Sequence, residues 1–368
     1  MRTATIAIIL ALAVPPLAAQ DSPFGIRGLG VPGRLESVRS RTTGGAFAAF
    51  DPQSALDEAS IAGATRLTAT TAGAASHMSD DLAGTPGTRR TARFPLLQVY
   101  GTTWASVAMG GGYTSYLDRS YKVVIQDTVT LGGSRQAVTD THISDGGVSD
   151  LRFVVARRMS NHFFIGAGFH ILSGSTRVSA ARSFTDTSQY RSSSESQEIA
   201  YDGVGFSSSA LVSIGRTGAL SLAAYWRSDS RLRGQVGKGT TVSSNDLPMM
   251  AGGALRFRLA PQAVFGASVT YRNWSVSADS NAYNTTNWSA GAEIGSPKLP
   301  LRIGVRGGQL PFGPGGAAPT EFGVTAGTGL TLSEGRGILD FGLERVRRTG
   351  VGLTETVWTA MVGVTVRP

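Results

Sequence analysis

The sequence predicts an all-β fold, a transmembrane antiparallel β-barrel of about 14 strands, with about 12 to 16 strands compatible with its length of 368 residues. Three observations lead to this fold class. Apolar residues alternate with small or polar residues along most of the chain, the alternating segments are about ten residues long, and aromatic residues stand near their ends.

The first 20 residues have the pattern of a secretory signal peptide. Arg2 supplies a positive charge, the run from Ile6 to Val14 is apolar, and small residues precede Gln20. Two prolines interrupt the apolar run before it reaches the about 20 residues that a membrane-spanning helix needs. We therefore expect residues 1–20 to direct export, and we expect no spanning helix in the rest of the chain.

The composition excludes several classes of protein. The chain has no cysteine, so it can form neither a disulfide scaffold nor a thiolate metal site. Its 48 glycines follow no period of three, which excludes collagen. The 34 lysines and arginines are dispersed along the chain without a basic cluster, so the net charge of +9 predicts no nucleic-acid partner.

The alternation is clearest around position 165. Every second residue there is apolar, and the run comprises Phe163, Ile165, Ala167, Phe169 and Ile171. Between them stand Phe164, Gly166, Gly168 and His170, so we expect the apolar face to contact lipid and the other face to line the lumen. Gly166→Ser is therefore expected to be tolerated better than Ile165→Arg. Similar runs occur at residues 220–226, 299–306, 322–327, 339–344 and 358–366.

A soluble β-sandwich would show the same alternation, but two further features favour the membrane barrel. The strands of a soluble sandwich average five or six residues, about half the length of these segments. A barrel also places aromatic residues at both membrane interfaces, and the candidates are Tyr113, Tyr116, Trp226, Tyr271, Trp274, Trp288 and Trp358. Polar or Gly/Pro-rich stretches predict loops at residues 76–90, 132–145, 186–197, 279–287 and 311–319.

Residues 21–59 do not alternate and are rich in glycine, which predicts a compact, irregular element. Within and just beyond this segment, Gly44 to Phe47, Asp51-Pro52 and Ser54 to Leu56 resemble the N-terminal signature of the FadL-like outer-membrane transporters. The likeness extends over residues 40–62. One departure is clear, because Asp57-Glu58-Ala59 stands where that family has Asn-Pro-Ala.

This resemblance implies an outer-membrane channel for hydrophobic compounds such as long-chain fatty acids or aromatic hydrocarbons. Residues 21–59 would form a hatch inside a barrel of residues 60–368, and substrates would leave sideways through the wall. The implied partners are outer-membrane lipids, a hydrophobic small molecule and the barrel-assembly machinery. The hatch residues singled out by the motif and its departure are Gly44, Gly45, Phe47, Phe50, Asp51, Pro52, Asp57 and Glu58. The alternative is that the glycine-rich motif is a flexible leader on a barrel of another family.

Other functions remain open at this stage. A general or structural porin-like barrel would need no hatch. A barrel phospholipase would need a catalytic serine and histidine, for which His142 and Ser144 are weak candidates in a predicted loop. His162 and His170 lie too far apart to share a metal, and we predict no cofactor, metal or catalytic residue. We expect a lumen network from the inward charges Arg272, Arg302, Arg306, Asp340 and Glu344.

Overall fold

The computed structural model describes residues 22–26, 28–82, 85–104, 106–187, 189–215, 219–237, 239–277, 282–313 and 316–368. The predicted signal peptide, residues 1–20, lies outside them. Within these ranges, no helix has both the length and the hydropathy of a membrane-spanning helix.

The described residues form strands throughout most of the chain. In chain order they are β1 (Val31–Pro32), β2 (Thr68–Leu82), β3 (Thr85–Trp104), β4 (Val107–Asp118), β5 (Tyr121–Leu131), β6 (Ser134–Arg158), β7 (Phe163–Phe184), β8 (Ser193–Ile214), β9 (Leu220–Asp229), β10 (Leu232–Val236), β11 (Thr240–Asn245), β12 (Met250–Ala260), β13 (Ala263–Arg272), β14 (Thr285–Ser296), β15 (Leu299–Gln309), β16 (Thr320–Leu332), β17 (Gly337–Gly350) and β18 (Leu353–Val366).

Fourteen of these strands close into an antiparallel barrel, which confirms the predicted fold class and strand number. Neighbours in sequence pair around the wall, except that β4 pairs with β6 and β9 with β12. The barrel closes between the last strand and the first, where β18 pairs with β2 from Thr354 opposite Asp81 to Val366 opposite Ala69.

The remaining strands lie at the end of the barrel that carries the long connections. β5 pairs with the first part of β6, β10 and β11 form a hairpin, and β1 pairs with the end of β4. The opposite end has short links such as the one between β12 and β13. β6 alone is 25 residues long, so the wall extends well beyond the membrane on the long-connection side.

This extension corrects three predicted loops. Residues 76–82 and 85–90 belong to β2 and β3, residues 132–145 belong to the β5–β6 hairpin, and β8 includes the end of 186–197. These stretches are polar because they lie outside the hydrocarbon core of the membrane, where water can contact both faces of a strand. Residues 311–319 are a loop, as predicted, where described.

The outer surface carries the predicted apolar face. Phe163, Ile165, Phe169 and Ile171 are each 36–39% exposed on the outside. Most of the aromatic candidates, such as Trp226, Trp288 and Trp358, are also exposed. The prediction that Trp274 lies at a membrane interface is wrong, because Trp274 is buried in a 3-10 helix and packs its ring against Phe312. Tyr116 also faces inward, where its hydroxyl donates to Asp229.

The described residues of the segment 22–67, here called the leader, run inside the barrel from the long-connection end to the short-link end. Ser22 donates to Glu355 near the start of β18, and Ala64 accepts a hydrogen bond from Thr102 near the end of β3. The leader contains helix α1 (Val38–Arg41) and the 3-10 helices Pro23–Gly25, Ala48–Phe50 and Ala59–Gly63; two more 3-10 helices, Trp274–Val276 and Ser333–Gly335, follow in the wall connections.

The first barrel strand begins later than predicted. Ser60 belongs to the last 3-10 helix of the leader, and β2 starts at Thr68. The irregular segment continues because Ile61 is buried against the inner faces of β4 and β6, so these residues still fill the lumen. Apolar leader residues elsewhere, including Leu35, Val38 and Phe50, form one core with inward residues of the wall.

Candidate functional site

The middle of the leader is folded around Asp51. Ser37 caps helix α1, and its hydroxyl donates to the Asp51 carboxylate at 2.5 Å. Ser40 and Ser54 donate to the same carboxylate oxygen at 2.8 and 3.2 Å. Asp51 is 4% exposed, so these bonds satisfy a charge that burial would otherwise make costly. The adjacent Pro52 is half-buried in the turn.

The two motif glycines lie in a turn of the leader that brings Gly44 against the wall. Gly44 and Gly45 have φ angles of +72° and +99°, which other residues rarely adopt. The Gly44 backbone N–H donates to the Thr325 hydroxyl at 3.0 Å. A Cβ at position 44 would stand 2.4 Å from the Val305 carbonyl oxygen, so glycine is required by the close approach as well.

The two motif phenylalanines fill the lumen beside β12 and β13. Phe47 is 5% exposed, and its ring occupies the space above Gly266 in β13. Phe50 is 7% exposed, and the Arg256 guanidinium lies 5.0 Å from its ring centroid. Both side chains therefore anchor the leader to the wall.

Arginines of the leader pair with carboxylates of the wall. Arg39 lies 3.1 Å from Glu293, and Arg41 lies 2.5 Å from Glu344. Arg34 pairs with Glu36 within the leader. Burial would raise the pKa of Glu36, but the neighbouring Arg34 outweighs it and lowers this pKa to about 2.

The predicted lumen network is present in the wall. Arg302 pairs with Asp340 at 2.6 Å, and Arg306 pairs with Glu344 at 2.7 Å. Arg272 is the exception. Among the described residues, no ion pair or hydrogen bond holds its guanidinium.

Asp57 and Glu58 attach the end of the leader to β7 and β8. Ser209 donates to Asp57 at 2.8 Å, and Ser207 donates to Glu58 at 2.7 Å. Ser207 also lies 2.7 Å from Nε2 of His170, a residue predicted only to face the lumen.

His170 continues this arrangement with Asp150, whose carboxylate lies 2.9 Å from Nδ1. The order of serine, histidine and aspartate matches that of serine hydrolases. Here, however, Glu58 binds the hydroxyl, and the leader covers Ser207 to 6% exposure.

A cavity of about 270 Å³ separates the first half of the leader from the wall. Its apolar lining comes from both sides and includes Leu35, Leu56, Met78, Val346 and Val357. Its arginines other than Arg272 each pair with a carboxylate, and they are Arg34, Arg41, Arg93, Arg306 and Arg348.

Arg272, Trp274 and Thr285, which are close in sequence or in strand register, all line this cavity. Arg272 and Thr285 stand directly opposite each other at the ends of β13 and β14, so their side chains are neighbours. Trp274 follows two residues after Arg272 and also lines the cavity. In the described part of the chain, the Trp274 Nε1 and Thr285 Oγ1 atoms have no hydrogen-bond partner, although both residues are at least 98% buried.

The predicted site residues therefore separate into two groups. Gly44 and Gly45 line the cavity, whereas Phe47, Phe50, Asp51, Pro52, Asp57 and Glu58 hold the leader in place. The sequence placed Arg272 among the lumen charges but did not indicate that Trp274 and Thr285 line the same cavity. The signal was the Arg272-Asn273-Trp274 sequence directly after an alternating run.

The remaining hypotheses from the sequence concern a catalytic serine and histidine and a metal site. His142 and Ser144 lie in β6 rather than in a loop, and no hydrogen bond joins them in the described structure. No group of three His, Asp or Glu side chains that could hold a metal ion occurs among the residues described.

Comparisons with known proteins identify the fold. No family model and no curated protein matches the sequence. Among solved structures, a Pseudomonas aeruginosa FadL homologue superposes with a TM-score of 0.60 at 12% identity, covering 92% of this chain and 99% of that chain. The P. putida toluene transporter TodX gives 0.58 at 13% identity, with coverages of 93% and 99%. The monoaromatic hydrocarbon channel CymD gives 0.57 at 11% identity, with coverages of 92% and 98%. The chain thus has the FadL-type barrel fold that the residue 40–62 motif implied.

Proposed function

We propose that this protein is a bacterial outer-membrane channel for uptake of hydrophobic small molecules, with long-chain fatty acids as its substrates. The supporting observation is the group of donors formed by Arg272, Trp274 and Thr285 beside an apolar cavity wall. A carboxylate would accept hydrogen bonds from these donors and neutralise the guanidinium. The hydrocarbon chain would then pack against residues such as Leu35, Met78 and Val357.

The location in the outer membrane rests on the surface of the barrel. Apolar side chains such as Phe163 and Ile165 are exposed on the outside of the barrel. Lipid would cover them, as it covers the apolar band of a transmembrane barrel. Lipids of the outer membrane and the machinery that assembles barrels are the partners that this surface implies. The FadL homologue, TodX and CymD support transport rather than catalysis, since they share the fold.

The leader distinguishes this channel from a general porin. It fills the lumen with a packed core, and buried ion pairs hold it to the wall. Water-soluble solutes would therefore meet a closed pore. The leader, acting as a hatch, would admit a hydrophobic ligand to the cavity. Little swelling of protein-containing liposomes in sugar solutions is expected.

The exit for a hydrophobic ligand would be a break between β2 and β3. Their register shifts between Ala72 and Ala74, opposite Phe94 and Pro95, and Pro95 has no N–H to donate across the gap. Ala74 and Pro95 line the cavity, and Phe94 is 63% exposed outside. A ligand passing this break would move from the cavity directly into the membrane.

The test compares binding of a fatty acid with binding of the fatty alcohol of equal length to the purified protein. Arg272→Met is expected to weaken fatty-acid binding by about tenfold or more, because a charge-assisted hydrogen bond is lost. Binding of the alcohol should change little. The control is Arg258→Met, which alters an exposed arginine of β12.

Equal losses for acid and alcohol would contradict the carboxylate site. Binding of toluene but of neither long-chain ligand would redirect the proposal to aromatic hydrocarbons. Rapid sugar flux through the intact protein would contradict the closed channel.

A further inference from the structure

Two adjacent carboxylates are buried where the leader meets β7 and β8. Asp57 is fully buried and Glu58 is 1% exposed. One oxygen of each carboxylate accepts a serine hydrogen bond, while Asp57 Oδ2 and Glu58 Oε2 have no partner in the described structure. Two neighbouring charges with unsatisfied oxygens would be costly in a buried site unless protons reduce the charge.

The hydrogen bonds of Ser207 also require a proton. Its hydroxyl carries one hydrogen, yet both Glu58 Oε1 and His170 Nε2 lie at 2.7 Å. Because Nδ1 of His170 faces the Asp150 carboxylate, a neutral ring would present Nε2 as an acceptor. Both contacts of Ser207 are satisfied only when His170 or Glu58 holds an additional proton.

The surrounding charges do not remove this requirement. From β6, Arg152 reaches Glu58 at 3.8 Å but donates mainly to Gln98 of β3 at 2.6 Å. From β9, Arg227 pairs with Asp150 at 2.6 Å. Further ionisable or polar groups facing the cluster are Asp229, Tyr116 and Ser209. The cluster thus contains four carboxylates, Asp57, Glu58, Asp150 and Asp229, for two guanidinium groups.

We propose that the leader is held in the barrel by a proton-dependent contact at Asp57 and Glu58, so that it docks tightly in acid and is released as the pH rises. The same two residues stand where the motif that residues 40–62 resemble has Asn-Pro. The proposal concerns docking of the leader and does not depend on which substrate the channel carries.

The direction of the effect follows from Asp57. Burial, with the neighbouring Glu58 as the second cause, raises the pKa of Asp57 to about 8. An undocked, hydrated aspartate has a pKa of about 4. Docking therefore binds a proton between about pH 4 and pH 8, and it weakens as the pH rises through this range. Above about pH 8 both forms are deprotonated, and no further change is expected.

The absence of cysteine allows a direct measurement of docking. Ala62→Cys places a single thiol at a position that is 7% exposed within the docked leader. Its rate of reaction with a membrane-impermeant thiosulfonate is divided by the rate of a Ser134→Cys variant, whose thiol lies on the exposed β5–β6 hairpin. This ratio cancels the common pH dependence of thiol reactivity.

The ratio is expected to rise by up to about tenfold per pH unit from pH 6 to pH 8 and then level off. Asp57→Asn should lower the ratio at pH 8 and reduce its pH dependence, because the carboxyl group with the raised pKa is removed. Glu58→Gln should move the levelling to lower pH, because a charge that raises the Asp57 pKa is removed. Asp127→Asn, on the exposed β5 strand, is the control and should behave as the parent protein.

A flat ratio from pH 5 to pH 9 in the parent protein would overturn the proposal. Retention of the full pH dependence in Asp57→Asn would do so as well. Heat-modifiable electrophoretic mobility of each variant establishes that its barrel is folded before labelling. None of these readouts requires a substrate, so failure here is distinct from failure of fatty-acid binding.

Discussion

At the scale of single residues, several inward glycines of the wall act as contact points for the leader. A Cβ at Gly304 would stand 2.1 Å from the Thr43 carbonyl carbon, and one at Gly291 would stand 2.3 Å from the Thr43 oxygen. Interiors are packed so closely that such a conflict must displace one of the two segments. The high glycine content therefore has a specific use in this lumen.

Gly166 shows where the sequence-based expectation was wrong. Its side does face the lumen, but a Cβ there would lie 2.5 Å from the backbone nitrogen of Ala59. Gly166→Ser would thus push against the leader and would not be well tolerated. Alternation identifies which face a residue occupies, whereas the segment that covers this face comes from a distant part of the chain.

Gly304→Ala is predicted to displace the leader without unfolding the barrel, because the added methyl meets leader backbone rather than a flexible side chain. We expect faster proteolysis within residues 40–62 and an unchanged heat-modifiable mobility. Gly253→Ala is the matched control, since its nearest neighbour would be 3.6 Å away. Equal protease resistance in both variants would contradict this role of Gly304.

At the scale of elements, the strands were predictable and their lengths were not. A ten-residue alternating run marks only the part of a strand that crosses lipid, because there one face must be apolar. Beyond the membrane, β6 continues with polar residues on both faces and is indistinguishable from a loop in sequence. For the same reason the contact of Glu58 with Ser207, and that of Ser207 with His170, could not be predicted, since both residues come from strands far away in sequence.

The proposed lateral release depends on the break between β2 and β3. Ala72 and Leu96 are paired directly beside it, so cysteines at both positions are suitably placed for a disulfide. We predict that this disulfide slows fatty-acid uptake several-fold, because the strands can no longer separate, and that a reductant restores uptake. A remote pair in the wall, Ala326→Cys with Leu343→Cys, is the control. Similar inhibition by both disulfides would argue against release at this break.

At the scale of the whole molecule, charge matches the leader to the two sides of the lumen. Its first half carries arginines that face carboxylates of the wall strands β14 and β17, as in the pairs Arg39–Glu293 and Arg41–Glu344. Its second half carries Asp57 and Glu58, which face serines and Arg152 on β6 and β8. Neither composition nor net charge reveals this division, because it depends on which wall each segment meets.

The barrel wall itself does not depend on the leader for its backbone hydrogen bonds, since its fourteen strands pair with one another all the way round. Deleting residues 21–56 is therefore predicted to leave a folded, heat-modifiable barrel whose inward charges become hydrated. Without the leader core around Leu35 and Phe50, water would fill the lumen, so conductance in planar bilayers should rise. Uptake of the fatty acid should lose its selectivity, because the cavity loses one of its two walls. Unchanged conductance after the deletion would mean that the leader does not close the channel, and a porin-like function would then be favoured.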